Sequence, residues 1–182
     1  MTVASTALNI LEDSLYDSFK DVLTSIGYPE MEVVFSHQNG LEPTKSYCVI
    51  TILERQRYGR VQESTYLAAD SSEMWYTNFY KLYFQVSFIG DRSPDVAFDF
   101  DDAVGSSRVC IEAFQKRNLG YIDKSTLRRM PQPRESKWVE SWNVDLNYSF
   151  ALQSRQVMDW VEFIDVNGEI YRIYPEETNL NT

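Results

Sequence analysis

Between Leu8 and Ile26 the apolar residues recur at spacings of three and four: Leu8, Leu11, Leu15, Phe19, Val22, Leu23 and Ile26. That period gathers them on one helical face and turns Glu12, Asp13, Asp17 and Asp21 largely away from it. Thr6 is placed to cap the start and Gly27 to supply the left-handed residue that ends such a helix, so the spacing predicts helix 1 over about 7–26. After a short apolar piece at Val33 to Phe35 and the turn-rich "HQNGLEPTKS", the run "YCVITILERQR" is β-branched and apolar on both faces. It predicts a strand over about 47–56. Residues 57–73 hold polar side chains, a glycine and no clean period, and read as a long excursion in the manner of a hairpin arm.

The next segment alternates strictly. Tyr80, Leu82, Phe84, Val86 and Phe88 share one face of a strand over about 76–90, and Lys81, Tyr83, Gln85 and Ser87 share the other. Gly90 ends it. Ser93 as cap, Pro94 at the first helical position and Asp95 at the positive dipole end then open helix 2, expected over about 94–117. Its stripe is Val96, Phe100, Val104, Ile111 and Phe114, closed by Asn118 or Gly120. Beyond the basic loop "LRRMPQPRESK" comes a strand over about 138–152. Trp138, Trp142, Val144, Leu146, Tyr148, Phe150 and Leu152 point one way, with Glu140 as the exception, and Ser141, Asn143, Asp145, Asn147 and Ser149 point the other. Asn167-Gly168, the preferred type I′ turn, predicts a C-terminal hairpin over about 156–174, followed by a frayed tail at 175–182.

Helices alternating with strands this one-sided predict an α+β fold: a mostly antiparallel sheet with two amphipathic helices packed on one face, plus a C-terminal β-hairpin. The 182 residues fit a single domain, 1–182. The longest apolar runs are only a few residues, so no membrane partner is expected, and the N-terminus does not read as a signal peptide. Cys48 and Cys110 lie in apolar periodic segments and are expected as buried free thiols. The formal charge of −10 disfavours nucleic-acid binding as the main task, because such a domain is repelled by phosphate.

Little in the chain suggests catalysis. The one histidine, His37, sits in a loop with no nucleophile elbow beside it, and one histidine with two distant cysteines lacks zinc-ligand spacing. Asp95, Asp99, Asp101 and Asp102 fall in the first turns of helix 2, where acids are favoured electrostatically, without the glycine of a calcium loop. No catalytic residue, metal or cofactor is therefore expected. The arginines are more informative. Arg55, Arg57 and Arg60 flank the excursion, and Arg128, Arg129, Arg134 and Lys137 cluster in the proline-containing loop. On an acidic chain such clusters suit docking to the acidic face of another copy. Phe79 and Tyr83, on the less apolar face of their strand, join them as candidate interface residues.

The order of "EPTKSYCVITIL", "YFQVSFIGDRSPDVAFDFDDAV" and "MPQPRESKWVESWNVDLNY" behind an amphipathic helix resembles the tail terminator or neck (tail-completion) proteins of long-tailed bacteriophages, over roughly residues 7 to 152. The resemblance implies a structural virion protein with no enzyme activity. It implies a homohexameric ring at the head–tail junction that ends the tail tube and docks head-completion proteins. The partners implied are other copies of the chain, the tail tube protein and a head-completion or neck protein, with DNA only passing through the lumen. The location implied is the virion neck, after assembly in the host cytoplasm. Six copies at −10 each carry six times that charge, −60, which is compatible with DNA sliding through without sticking. The excursion at 57–73 and the hairpin after 152 depart from the core pattern and leave a neighbouring tail adaptor as an alternative. A further alternative is a binding module that holds a sugar or peptide on Trp75, Tyr76, Phe79 and Tyr83.

Overall fold

The stripe of the first segment folds as helix α1 (Val3–Ser25) in a computed structural model that describes residues 3–36, 42–68, 71–134, 137–158, 163–166 and 169–172. Leu11, Leu15, Phe19, Val22 and Leu23 are buried as the period requires. Thr6 lies inside the helix rather than capping it, since nothing from Val3 to Ala7 is a breaker. Gly27 does end it: at φ 95° it lets the Tyr28 N–H reach the Leu23 carbonyl at 2.8 Å, the six-to-one bond of a Schellman turn.

Strand β1 (Glu32–Phe35) runs parallel to β2 (Tyr47–Ala68), with Val33 opposite Cys48. β3 (Ser71–Ile89) follows, so the stretch read as an excursion is strand on both sides of residues 69 and 70. Its polar residues hide the strand from an apolar-period reading. Helices α2 (Ser93–Ala103) and α3 (Arg108–Gln115) come next. Then come β4 (Leu119–Lys124), β5 (Arg128–Arg129), β6 (Gln132–Arg134), β7 (Lys137–Val139) and β8 (Ser141–Met158). β9 (Phe163–Val166) and β10 (Glu169–Arg172) pair antiparallel, while the Asn167-Gly168 turn and the tail lie outside the described residues. The main sheet has the order β1-β2-β3-β8-β4, with β5 also on β8. β4 and β5 are antiparallel to β8. The Gly90 N–H just past β3 bonds the Glu140 carbonyl just before β8 at 3.0 Å, so those strands also run oppositely. The fold is α+β with a mostly antiparallel sheet, as the sequence pattern predicts.

A single domain is the reading of the sequence; the chain divides into two compact units. The first holds Met1–Tyr58 with Phe79–Ala151, and the second holds Gly59–Asn78 with Leu152–Thr182. The core of the first unit is aromatic. The Phe19 ring stacks on Phe100 at 5.5 Å and meets Phe84 and Phe114 edge-on at 6.0 and 5.6 Å. Phe114 in turn touches Tyr148 of β8 at 4.6 Å. All three helices thus bury their stripes on the sheet face that carries Phe84, Phe88 and Tyr148. Burying each such ring is worth about 1.5–3 kcal/mol, and edge-on pairs add about 0.5–1.5. Cys48 and Cys110 are both buried and free, and burial pushes the Cys48 thiol up.

Helix 2 of the sequence reading is two helices. Val104 turns extended at ψ 128° and Gly105 adopts φ 78°, where a Cβ would come within 2.7 Å of the Tyr121 ring. The break shifts the helical phase, so Cys110, Ala113 and Phe114 are buried and Ile111 is only half-buried. α3 ends at Gln115 with Lys116 as its cap, and Asn118, one of the two residues expected to close the helix, takes the left-handed conformation at φ 59° three residues beyond that end. Ser93 is the first helical residue of α2 rather than its cap, and its buried hydroxyl reaches the Glu140 carbonyl at 3.4 Å.

The strand expected over 138–152 is likewise interrupted. Glu140, the one exception to its alternation, sits between β7 and β8. Trp138 therefore belongs to the β6–β7 pair, opposite Pro133, and is 73% exposed instead of joining the apolar face.

Candidate interface surfaces

The loop arginines point to intrachain carboxylates. Arg129 holds Glu140 through two bonds, Nε to Oε1 at 2.6 Å and an Nη2 bond to Oε2 at 2.9 Å. The Trp142 indole N–H adds a third bond to Oε1 at 3.0 Å. The Arg129 hydrogen bonds hold the Glu140 carboxyl below the usual range, and Glu140 in turn raises the guanidinium. Trp142 is half-buried on the helix-covered side of β8, as the alternation predicts, and tilts onto the exposed Phe98 of α2 at 5.1 Å. Arg128 pairs with Asp145, and Arg134 pairs with Glu42, whose carboxylate also takes the Tyr47 hydroxyl. Lys137 is exposed and enters no ion pair among the described residues. The sequence cluster Arg128–Lys137 is thus spread over β5, β6 and β7, and its three arginines brace those short strands.

The β2 arginines differ. Arg55, Arg57 and Arg60 are exposed and enter no ion pair among the described residues. Arg55 lies over the Tyr80 ring at 5.0 Å, a cation–π contact. Arg57 has no such partner among the described aromatics. Beside them Tyr58 tilts on Phe79 at 6.2 Å, with the Lys81 ammonium 6.0 Å above the Tyr58 ring. Phe79 is half-buried in this cluster, so it meets its own chain first. Trp75 and Tyr76 are half-buried and belong to the second unit.

Tyr83 occupies a third place, on the sheet face away from the helices. There it lines a groove of about 490 Å³ with Leu53, Asp123, Ser125, Asp145 and Asn147. Asp145 forms the floor of a network: Gln85 Nε2 donates to its Oδ1 at 3.0 Å, Arg128 pairs with its Oδ2, and its N–H bonds Ser125 Oγ at 2.9 Å. Asn147 is 8% exposed, and its Oδ1 has no hydrogen-bond partner among the described residues. Sequence alternation places Tyr83, Asp145 and Asn147 on the polar face, but the groove also needs Asp123 and Ser125 brought alongside β8 by its pairing with β4, which no local pattern announces.

The acids of α2 have structural uses. Asp99 accepts the Tyr28 hydroxyl at 2.6 Å, a bond that pushes the Tyr28 phenol up to about 12. Asp101 Oδ1 lies 2.7 Å from the Lys124 ammonium. His37 lies outside the described residues. No helix is long and apolar enough to cross a membrane among the described residues.

Among the described residues these surfaces comprise a polar sheet face with a groove, arginines paired to carboxylates of the chain, and exposed aromatics at Phe98 and Trp138. No curated protein gives a sequence match. The family model described as phage neck terminator protein matches residues 13–173 of this chain, from within α1 through the C-terminal strands. With that match spanning nearly the whole sequence, the chain belongs to the phage neck terminator family.

Proposed function

We propose that this chain assembles with copies of itself into a ring, a hexamer, that closes the tail tube where it meets the head and docks the head-completion protein. The observation that carries the reading is the family match over residues 13–173, which makes the chain a structural protein of the phage neck. The fold supplies supporting features. Among the described residues, β1 pairs only with β2, and β4 and β5 pair only with β8, so the main sheet presents a strand at each edge. Edge strands are templates for further pairing unless covered, and contacts between two different surfaces of one chain close into a ring when the rotation between copies allows. DNA passes such a ring without a dedicated site, in keeping with the formal charge of −10.

Deleting the protein from the phage tests this. The expected result, seen by electron microscopy, is full heads unattached to tails, with tubes of uncontrolled length, reversed by supplying the chain in trans. Joined particles with tubes of normal length in its absence would overturn the proposal.

A further inference from the structure

The groove on the polar face of the sheet holds unused acceptors and a free charge. The Asp145 carboxylate is satisfied by Gln85 and Arg128, and Lys124 is drawn off to Asp101. What remains is the Asp123 carboxylate, exposed and without an ion pair among the described residues, and the buried, unpartnered Oδ1 of Asn147. Leu53, 57% exposed, supplies an apolar lip, and Tyr83 a flat wall. A carboxylate, an amide oxygen, an aliphatic lip and an aromatic wall suit one kind of group above others. That group is a guanidinium on its three-carbon stem, which donates in a fork, stacks on rings and lays its methylenes on apolar surface.

The same chain carries such a group unspent. Arg57 on β2 is exposed, in contrast to Arg128, Arg129 and Arg134, each of which holds a carboxylate of its own chain. We propose that the groove receives Arg57 of a second copy of this chain, with the guanidinium on Asp123 and Asn147 Oδ1. Each copy carries both the donor and the acceptor, so it gives one contact and receives another, to a single partner in a two-fold pair or to two neighbours in a ring. A head-to-tail contact of this kind closes into a ring when its rotation allows. The inference rests on the ring reading above and deepens it by naming two surfaces that meet.

Charge swapping tests it on the full-length chain. Asp123→Arg alone and Arg57→Asp alone should each weaken self-association on the order of tenfold or more, read by mass photometry and by analytical ultracentrifugation. The variant carrying both changes rebuilds every contact with reversed polarity and should recover most of the loss. Cysteines placed at both positions of one chain should give disulfide-linked ladders, because the native Cys48 and Cys110 are buried and silent. Both positions are exposed, so unchanged thermal midpoints separate lost assembly from lost folding. Assembly at the wild-type level by Asp123→Arg overturns this contact while the ring stands, and so does a double variant no better than the singles. A wild-type chain that forms no ring in solution or in purified necks overturns the ring reading and this inference with it.

Discussion

The two faces of the central sheet obey different rules. The helix-facing side is closed by apolar shape: Phe84, Phe88 and Tyr148 meet rings from α1, α2 and α3. The opposite side is polar, carrying Gln85, Asn143, Asp145 and Asn147, all buried or half-buried, with Gln85 bonded to Asp145 and the Asn143 amide donating to Met130 Sδ. The first face is filled by packed rings, while the second keeps a groove and a buried acceptor without a donor among the described residues. Apolar packing holds the fold on one side, and on the other the sheet carries the groove beside Tyr83, Asp145 and Asn147.

The largest expected effect tests the closed face. Phe19→Ala removes a ring packed on three others and should cost about 3–5 kcal/mol in denaturant unfolding of the pure chain. A loss below about 1 kcal/mol would mean that the three helices do not share one core there. Next comes the end of β3. Gly90, at φ 109°, would bring a Cβ to within 2.6 Å of Ser46 Oγ and 2.8 Å of its Cα. Gly90→Ala should therefore cost about 1–3 kcal/mol for backbone strain alone. An unchanged thermal midpoint would contradict the close approach.

Tyr28 gives a smaller effect with a pH signature. Its folded phenol is raised to about 12 from an ordinary 10.0, mainly by the bond to Asp99. The folded state thus holds the proton more tightly than the unfolded chain. The resulting stability is complete below pH 10 and is lost as pH rises towards 12. Tyr28→Phe should cost about 1 kcal/mol at neutral pH and flatten the decline between pH 10 and 12. Parallel alkaline stability curves for both proteins would remove the Asp99 bond from the account. Least of all, Asn147→Leu should change monomer stability by less than about 1 kcal/mol, because an amide oxygen without a donor contributes nothing that leucine loses. A large destabilisation there would show that the polar face also holds the fold, and would erase the contrast between the two faces.

That contrast also explains what was legible in the sequence. Burial on one face writes a period, so the stripes of α1 and β3 and the run from Val144 to Phe150 could be read directly. The α2–α3 break could not, because Gly105 is required by the distant Tyr121 ring rather than by its neighbours. Trp138 misled for a related reason: its parity fits the apolar face, but Glu140 ends the run, and that carboxylate is held by Arg129, eleven residues before it. The arginine cluster was visible as composition, while its pairing with Glu42, Glu140 and Asp145 is tertiary and left no local mark. In the region read as an excursion the strand residues are largely polar, and from Arg57 to Ser64 they are exposed or half-buried, so no apolar period marks that stretch.

The most direct test of this account is a cryo-EM reconstruction of the phage neck. The account predicts a closed ring of this chain at the head-proximal end of the tail tube, with each subunit's groove at Asp123 and Asn147 occupied by Arg57 of its neighbour. A neck in which the chain is absent, or present as a single copy, would contradict it.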